Sequence, residues 1–457
     1  MQMVHYTELL QQFILLVYSD MVNKMHIKRP TLLVLTCIIL ASLVVSSCGV
    51  DVSQEETDIG EGVTTSEIIA VGNTDINGYS AVTDQGRYDV YIWLFNLFDG
   101  ESPWIHTGNI TYLDVESLQK VFLCNTPGCE HNNEDCTAYI SFSNSAVMFT
   151  NKTKSKLYCM STGAKNGEVF TANDVGKIYE MDLDGTNRKE LIGLMANQSF
   201  ASADPIFSDE EFIYLAVIET NTNKSESTKK LFRISIVDGS ITEVGTYPVN
   251  CVVLQMLSPR KVVVRKSESY MGSIVKIDLV SKEEEVLYTE PIGSEKIAGE
   301  DLVYFETSVL RLFEKDGSLT LGTYNYLSKE QNEITICAYQ EGSCYLISKC
   351  FDDRVIIDCS ANEEKHSYLS VDLVNGDVSK NVLTFDYQGV NRVVNIICEL
   401  NSDYLVAANI TKAVKTIVDN KGVPHEVVED HEIIYAMISK DDYWSGIANY
   451  RWVTNYT

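Results

Sequence analysis

KIYEMDLDGTNRKELI, residues 177–192, decides the fold. Alternating apolar residues run into the polar turn Asp184-Gly185, and a second, weaker strand follows, as a hairpin requires. The phrase returns along the chain: NITYLDVESLQKVFLC (109–124), KLFRISIVDGSITEVG (230–245), SIVKIDLVSKEEEVLY (273–288), LGTYNYLSKEQNEITI (321–336), SYLSVDLVNGDVSKNVL (367–383) and EIIYAMISKDDYWSGI (432–447). Ahead of each lies another strand pair, such as DLVYFET (301–307) or RVIIDCS (354–360). Helical periodicity is scarce after residue 66, while β-branched and aromatic runs bounded by Gly, Asn, Asp and Lys recur.

Anchoring the phrases on Asp114, Asp182, Ser235, Asp278, Asn325, Asp372 and Met437 gives spacings of 68, 53, 43, 47, 47 and 65 residues. The middle values match the roughly 40–50 residues of one propeller blade. The long ones call for insertions, one around Cys124–Cys136 and another across 384–431. The pattern predicts an all-β β-propeller over residues 66–457 with seven blades; six or eight also fit the spacing. A four-stranded blade has two apolar faces and covers neither alone, whereas a closed ring buries both and leaves few exposed strand edges. A pair of β-sandwiches and an open solenoid are the competing architectures.

The 457 residues carry 36 basic and 64 acidic side chains, 45% apolar residues and 10% aromatic ones. Without residues 1–47 the chain loses Lys24, Lys28 and Arg29 but only Glu8 and Asp20, leaving 33 basic against 62 acidic groups. That excess of negative charge opposes nucleic acid and anionic membrane surfaces, so no nucleic-acid partner is expected.

Residues 1–47 read as a signal region. A short basic flank, Met25-His26-Ile27-Lys28-Arg29-Pro30, precedes the apolar run TLLVLTCIILASLVVSS (31–47). Residues 1–24 are unusual upstream of such a signal and fit an over-long start, with Met25 as initiator. The segment Val45-Ser46-Ser47-Cys48 resembles the lipobox of bacterial lipoproteins, with Val45 where Leu is usual. The resemblance implies cleavage before Cys48 and lipid on its sulfur; an ordinary signal peptide or an uncleaved anchor are the alternatives. Residues 48–65, acidic and without hydrophobic periodicity, then form a flexible tether. Two acyl chains suffice for stable anchoring, so the expected location is the cell membrane, with the folded body facing outward.

A wider resemblance follows. KIYEMDLDGTNRKELI is similar to the strand, Asp-Gly, strand units of propellers related to TolB-like and YWTD-type propellers. FLCNTPGCEHNNEDCTAYI (122–140) resembles a recurrent segment of propeller lipoproteins from anaerobic Gram-positive bacteria. The literal YWTD signature is absent, so none of that family's ligands carries over; fold and location are what the likeness implies.

Cys124, Cys129, His131 and Cys136 are spaced C-x4-C-x-H-x4-C. Three thiolates and an imidazole make a tetrahedral zinc set. Outside the cell a disulfide between two of the three cysteines competes with it, and free thiols in a reducing setting are a third reading. In each case the segment is a clasp on the insertion after the first blade. No other cofactor is implied. The remaining cysteines sit mostly in apolar strand-like runs, where the thiol acts as a small hydrophobe. Asp182–Asn187 is a turn rather than a calcium loop, and His425 and His431 read as surface-hairpin residues. Trp104, Tyr443 and Trp444 stand in polar surroundings and are the aromatic candidates for ligand contact.

Two functions stay open. One is a non-catalytic binding or scaffolding module, recognising a protein, peptide or glycan outside the cell through the loops of its rim. The other is a secreted propeller enzyme, a glycosidase or lyase, which would need two carboxylates about 5–9 Å apart. The sequence holds no nucleophile motif, Gly-rich phosphate loop or H-E-x-x-H. An accessory or sensor role in an envelope complex is a weaker third.

Overall fold

In the first six repeats the phrase folds into the third and fourth strands of a blade, joined by a turn at the anchor residue; in the seventh a short helix, Lys440–Ser445, follows the third strand instead. Asp278 Oδ1 accepts the backbone N–H groups of Val280 and Ser281, both at 3.0 Å. Asn325 does the same for Leu327 and Ser328, and Asp372 for Val374 and Asn375. The residue four places after the anchor then donates its N–H back to the anchor's carbonyl: Leu118 to Asp114, Gly239 to Ser235, Lys282 to Asp278, Lys329 to Asn325 and Gly376 to Asp372, at 2.8–3.0 Å. Each of these five donors has a positive φ. The turn is therefore longer than the tight two-residue hairpin expected from Asp-Gly. It is a four-residue loop built around the side-chain cap, with its last position left-handed: glycine at Gly239 and Gly376, but Leu118, Lys282 and Lys329 in the others.

The computed structural model describes residues 67–72, 80–92, 105–143, 145–163, 175–201, 204–221, 226–268, 271–289, 302–362, 365–387, 389–400, 402–418 and 424–455. Residues 1–47, Cys48 and the tether to residue 65 lie outside them, as does Trp104. Thr65–Thr457 forms one compact unit.

It is a seven-bladed β-propeller, and each anchor falls in a different blade. Blade 1 holds Ala81–Val82, Gly86–Ile92 and Ile105–Asp114, with an outer strand made of two pieces, Gln119–Phe122 and Tyr139–Ser143. Blade 2 runs from Ala146–Thr150 through Leu157–Ser161 and Lys177–Met181 to Lys189–Gly193. Blade 3 contains Ile206–Ser208, Phe212–Asn221, Glu226–Ser235 and Ile241–Tyr247; blade 4 contains Cys251–Ser258, Lys261–Glu268, Met271–Asp278 and Glu284–Thr289. Blade 5 is Val303–Phe305, Ser308–Lys315, Ser318–Asn325 and Gln331–Ala338. Blade 6 is Cys344–Phe351, Arg354–Asn362, Lys365–Asp372 and Val378–Ser379, and blade 7 is Asn395–Leu400, Asp403–Val418, Pro424–Ser439 and Arg451–Trp452. The insertion expected across 384–431 divides between an extra hairpin, Thr384–Tyr387 with Val390–Val393, and the extended central hairpin of blade 7.

The core lies between blades rather than within them. Met148, Leu157 and Met181 of blade 2 pack on Tyr88, Ile110 and Ile140 of blade 1. Leu310, Leu312 and Leu321 of blade 5 pack on Val355, Ile357 and Val371 of blade 6. Similar clusters join blades 2 and 3, 3 and 4, 4 and 5, and 6 and 7. The seventh closes the ring: Leu113 of blade 1 packs with Leu405 and Met437 of blade 7 and with Val453 beyond it. Burial of each such side chain contributes roughly 1.5–3 kcal/mol, and no blade achieves it without its neighbours.

Both ends of the unit add strands out of turn. Thr454–Asn455 pairs in parallel with Gln119–Lys120 on the outer edge of blade 1. Ile69–Gly72 pairs antiparallel with Ile206–Ser208, so the entering chain adds a strand to the inner edge of blade 3.

Candidate functional site

The Cys/His segment is pinched out of blade 1. Ile110, in the third strand, accepts from Leu123 N at 2.9 Å and donates to Ala138 O at 2.7 Å. The outer strand thus breaks off at Leu123, resumes at Ala138, and leaves 124–137 as a loop whose two stems meet. Gly128 and His131 take left-handed conformations, φ 72° and 56°, which turn the loop back on itself. Asn109 Nδ2 of the third strand donates to His131 O at 2.8 Å, and Thr137 Oγ1 to Leu123 O at 2.7 Å. The Phe122 ring lies against the imidazole, centroids 4.6 Å apart.

These contacts bring together all four residues singled out in the sequence. The ligand atoms of Cys124, Cys129, His131 and Cys136 all lie within 4.8 Å of one another. His131 Nδ1 is 3.2 Å from Cys136 Sγ. The three thiols are free of disulfides, and Cys136 is the buried one. Burial pushes the Cys136 thiol up to about 11, against N–H groups of Ala138 and Tyr139 that lower it. Burial raises Cys124 too, but hydrogen bonds from the Thr126 backbone and side chain, with Cys136 and Thr137, outweigh it and bring that thiol down to about 6. Arg188, from the outer hairpin of blade 2, donates to the carbonyls of Thr137 and Tyr139 beside the cluster.

The aromatic candidates lie elsewhere. Tyr443 and Trp444 stand not on a loop but in the helix Lys440–Ser445, the one helix among the described residues, whose N-cap Ser439 accepts from Asp442 N. Tyr443 is 1% exposed and its hydroxyl donates to Val394 O at 2.7 Å, so it belongs to the core between blades 6 and 7 and meets no ligand. Trp444 is half-buried; its indole donates to Tyr404 Oη at 3.0 Å and its ring lies under Arg354. Cys159 and Cys251 are fully buried in strands, and Cys344 is exposed. The backbone of His425 and His431 belongs to the long hairpin of blade 7.

Two groupings escaped the sequence because strand pairing, not spacing, assembles them. On blade 6, His366 Nδ1 lies 2.9 Å from Asp358 Oδ2 and 3.2 Å from Ser360 Oγ. A hydrolase triad needs the acid and the nucleophile on opposite ring nitrogens. Here both face the same one, so the imidazole cannot relay a proton between them. The second grouping is a cleft of about 410 Å³ between blades 4 and 5, lined among others by Tyr288, Arg311, Phe313, Tyr324, Gln331 and Asn332. Arg311 stacks over the Phe313 ring at 4.7 Å, and Tyr288 packs on Tyr324 at 5.0 Å. Gly322 keeps the floor open: a β-carbon there would lie 2.9 Å from the Phe313 ring.

No protein-family model and no curated protein matches the chain. Solved structures resemble it distantly. The propeller domain of the Trilobed protease from Pyrococcus furiosus is 10% identical, with 85% of this chain and 99% of that one covered at a TM-score of 0.40. An oligogalacturonate lyase in complex with manganese is 12% identical, covering 84% and 100% at 0.39. TolB from Acinetobacter baumannii is 10% identical, covering 79% and 77% at 0.30. Against a prolyl endopeptidase the chain spans 47% of the other protein's length. The likeness is to propeller domains as folds.

Proposed function

We propose that this chain is a binding protein held on the outer face of the cell membrane by lipid on Cys48, a propeller lipoprotein of the kind found in anaerobic Gram-positive bacteria. Its ligand, an extracellular peptide or glycan, lies along the cleft between blades 4 and 5. The cleft is the observation that supports this reading. Ligand sites are commonly concavities of a few hundred Å³ with apolar floors and a few oriented polar groups. Phe313 and the Tyr288–Tyr324 pair offer ring faces for stacking, while Arg311, Gln331 and Asn332 offer planar donors and acceptors at the rim.

The test is a panel of glycans and peptides presented to the chain from residue 49 onward. Saturable binding without turnover is expected, weakened about tenfold or more by Arg311→Ala or Asn332→Ala, a loss of roughly 1.4 kcal/mol. Turnover of any member would defeat a binding-only role. The anchor is tested separately: labelled palmitate should enter the wild-type chain in cells and not Cys48→Ser, and an unlabelled cytosolic wild type would overturn the location.

A further inference from the structure

We propose that Cys124, Cys129, His131 and Cys136 bind one Zn²⁺ as a structural clasp that locks the pinched loop of blade 1 onto blade 2. The argument begins with geometry. Tetrahedral zinc with Zn–S bonds of about 2.3 Å holds its sulfurs about 3.8 Å apart. Four ligand atoms within 4.8 Å of one another already occupy that span. A disulfide would join two of the sulfurs and leave the third thiol and the imidazole stacked beside it without purpose. The observed convergence places all four around one centre, and none of the thiols is bridged.

The surroundings fit a metal–thiolate centre. Ligand side chains in such centres are oriented by second partners on the backbone. Here the backbone of each cysteine is held within the loop: Cys124 N donates to Phe122 O at 2.7 Å, Cys129 N to Thr126 O at 3.2 Å and Cys136 N to Asn133 O at 3.1 Å. Asn109 fixes the His131 carbonyl, and the Phe122 ring packs against the imidazole. Three thiolates, a neutral imidazole and Zn²⁺ sum to one negative charge, and Arg188 brings a guanidinium to the carbonyls beside it. Soft sulfur donors with one imidazole select zinc over magnesium or calcium. All four positions are filled by protein, so the site is closed and its role is structural rather than hydrolytic.

What the clasp holds follows from the topology. The stems of the loop meet at Ile110, and Leu123, Cys136 and Ala138 belong to the core shared by blades 1 and 2. Without a tie, the loop's conformational entropy pulls against the hydrogen bonds that rejoin the two halves of the outer strand.

The experiment measures metal in the untagged full chain, purified under reducing conditions with zinc present and then dialysed. About one zinc per chain is expected, replaceable by Co²⁺ with the intense visible absorption of a tetrahedral thiolate site. Cys129→Ser should lose stoichiometric metal. His131→Cys should keep it while shifting the cobalt bands toward those of an all-sulfur site, which a residue needed only for packing would not do. Chelation should lower the melting temperature of the wild type and leave that of Cys129→Ser unchanged. Substoichiometric zinc in the wild type, or a mapped disulfide among Cys124, Cys129 and Cys136 in chain isolated from its native compartment, would overturn the proposal.

Discussion

At Lys229 one ammonium group joins two blades. Its Nζ lies 2.9 Å from Asp204 Oδ2 and donates to Cys251 O of blade 4 at 2.7 Å. Asp204 in turn accepts from Tyr247 Oη and Val253 N, both at 3.2 Å. Neither charged side chain is more than 5% exposed. Desolvation pushes the Asp204 carboxyl above its ordinary range even though Lys229 and the hydrogen bonds pull it down. Removing one partner of a buried pair costs about 3–5 kcal/mol, because the other charge stays behind. Lys229→Met should therefore lose about that much in urea unfolding, and adding Asp204→Asn should restore part of it, since the amide still accepts from Val253. The sign with pH follows: a carboxyl whose folded pKa is raised favours the fold below its unfolded pKa and loses that contribution as pH rises. The deficit of Lys229→Met should shrink as pH falls from neutrality toward the carboxylate range. Tyr443 makes the same point for neutral groups. Its polar neighbours in KDDYWSG read as a loop, but Ser439 caps a helix there and turns the ring inward. Tyr443→Phe strands the buried carbonyl of Val394 and should cost about 1–3 kcal/mol, Tyr443→Ala about 3–5, both read from denaturation midpoints.

Among elements, the turn after the third strand is the recurring one, and its chemistry made the blades countable. Asp278, Asn325 and Asp372 each cap two N–H groups and Asp114 and Ser235 one, so Asp, Asn and Ser keep returning at blade spacing in the first six blades. In the fourth and fifth blades, however, the left-handed position is filled by Lys282 and Lys329, with φ of 63° and 64°, where blades 3 and 6 carry glycine. A side chain there costs about 1–2 kcal/mol, against which glycine's greater unfolded freedom takes back about half. Lys282→Gly and Lys329→Gly should each stabilise the protein by about 0.5–1 kcal/mol, seen as higher urea midpoints; a loss would show that the lysine side chains hold those turns. The caps also set an acid response. Backbone N–H of Ser240 and the Ser235 hydroxyl bring Asp238 down to about 2, and Asp114 and Asp278 are lowered by hydrogen bonds from Ser117 and Ser281. A depressed folded pKa means that the unfolded chain binds more protons just below 3.8, so the contribution is present above that value and lost as pH falls through the folded one. Replacing Asp114, Asp238 and Asp278 by Asn keeps the acceptor and removes the titration. The urea midpoint of that variant should fall less steeply than the wild type's between about pH 5 and about pH 2. Strand periodicity and caps are local, which is why the blades and the Cys/His convergence were legible. The cleft of Arg311 and Phe313, the His366 grouping and the buried Tyr443 depend on which strands and helices meet, and no local pattern carries that.

For the whole molecule the decisive feature is closure, and it rests on a few residues at one seam. Val453 N donates to Tyr435 O at 3.0 Å, Thr454 N to Leu118 O at 2.9 Å, and the two-residue strand Thr454–Asn455 joins blade 7 to the outer edge of blade 1. Arg451 pairs with Asp403 on the blade 7 side. The Val453 side chain fills the cluster in which Leu113, Leu405 and Met437 are buried. In a stack of modules each interface is a nearest-neighbour term, so opening one seam exposes two blade faces without unfolding the other five blades. Deleting residues 451–457 should therefore do two things that a mutation within one blade does not. It should lower the melting temperature by several degrees, and it should raise amide exchange selectively in Gly86–Ile92, Gln119–Phe122 and Asp403–Val418 while blades 3 to 5 keep their protection. Val453→Asp, which leaves the backbone pairing in place but puts a charge in the seam, should reproduce the same exchange pattern. Uniform loss of protection around the ring would mean that the blades unfold as one cooperative unit and that the seam is no weaker than the other interfaces.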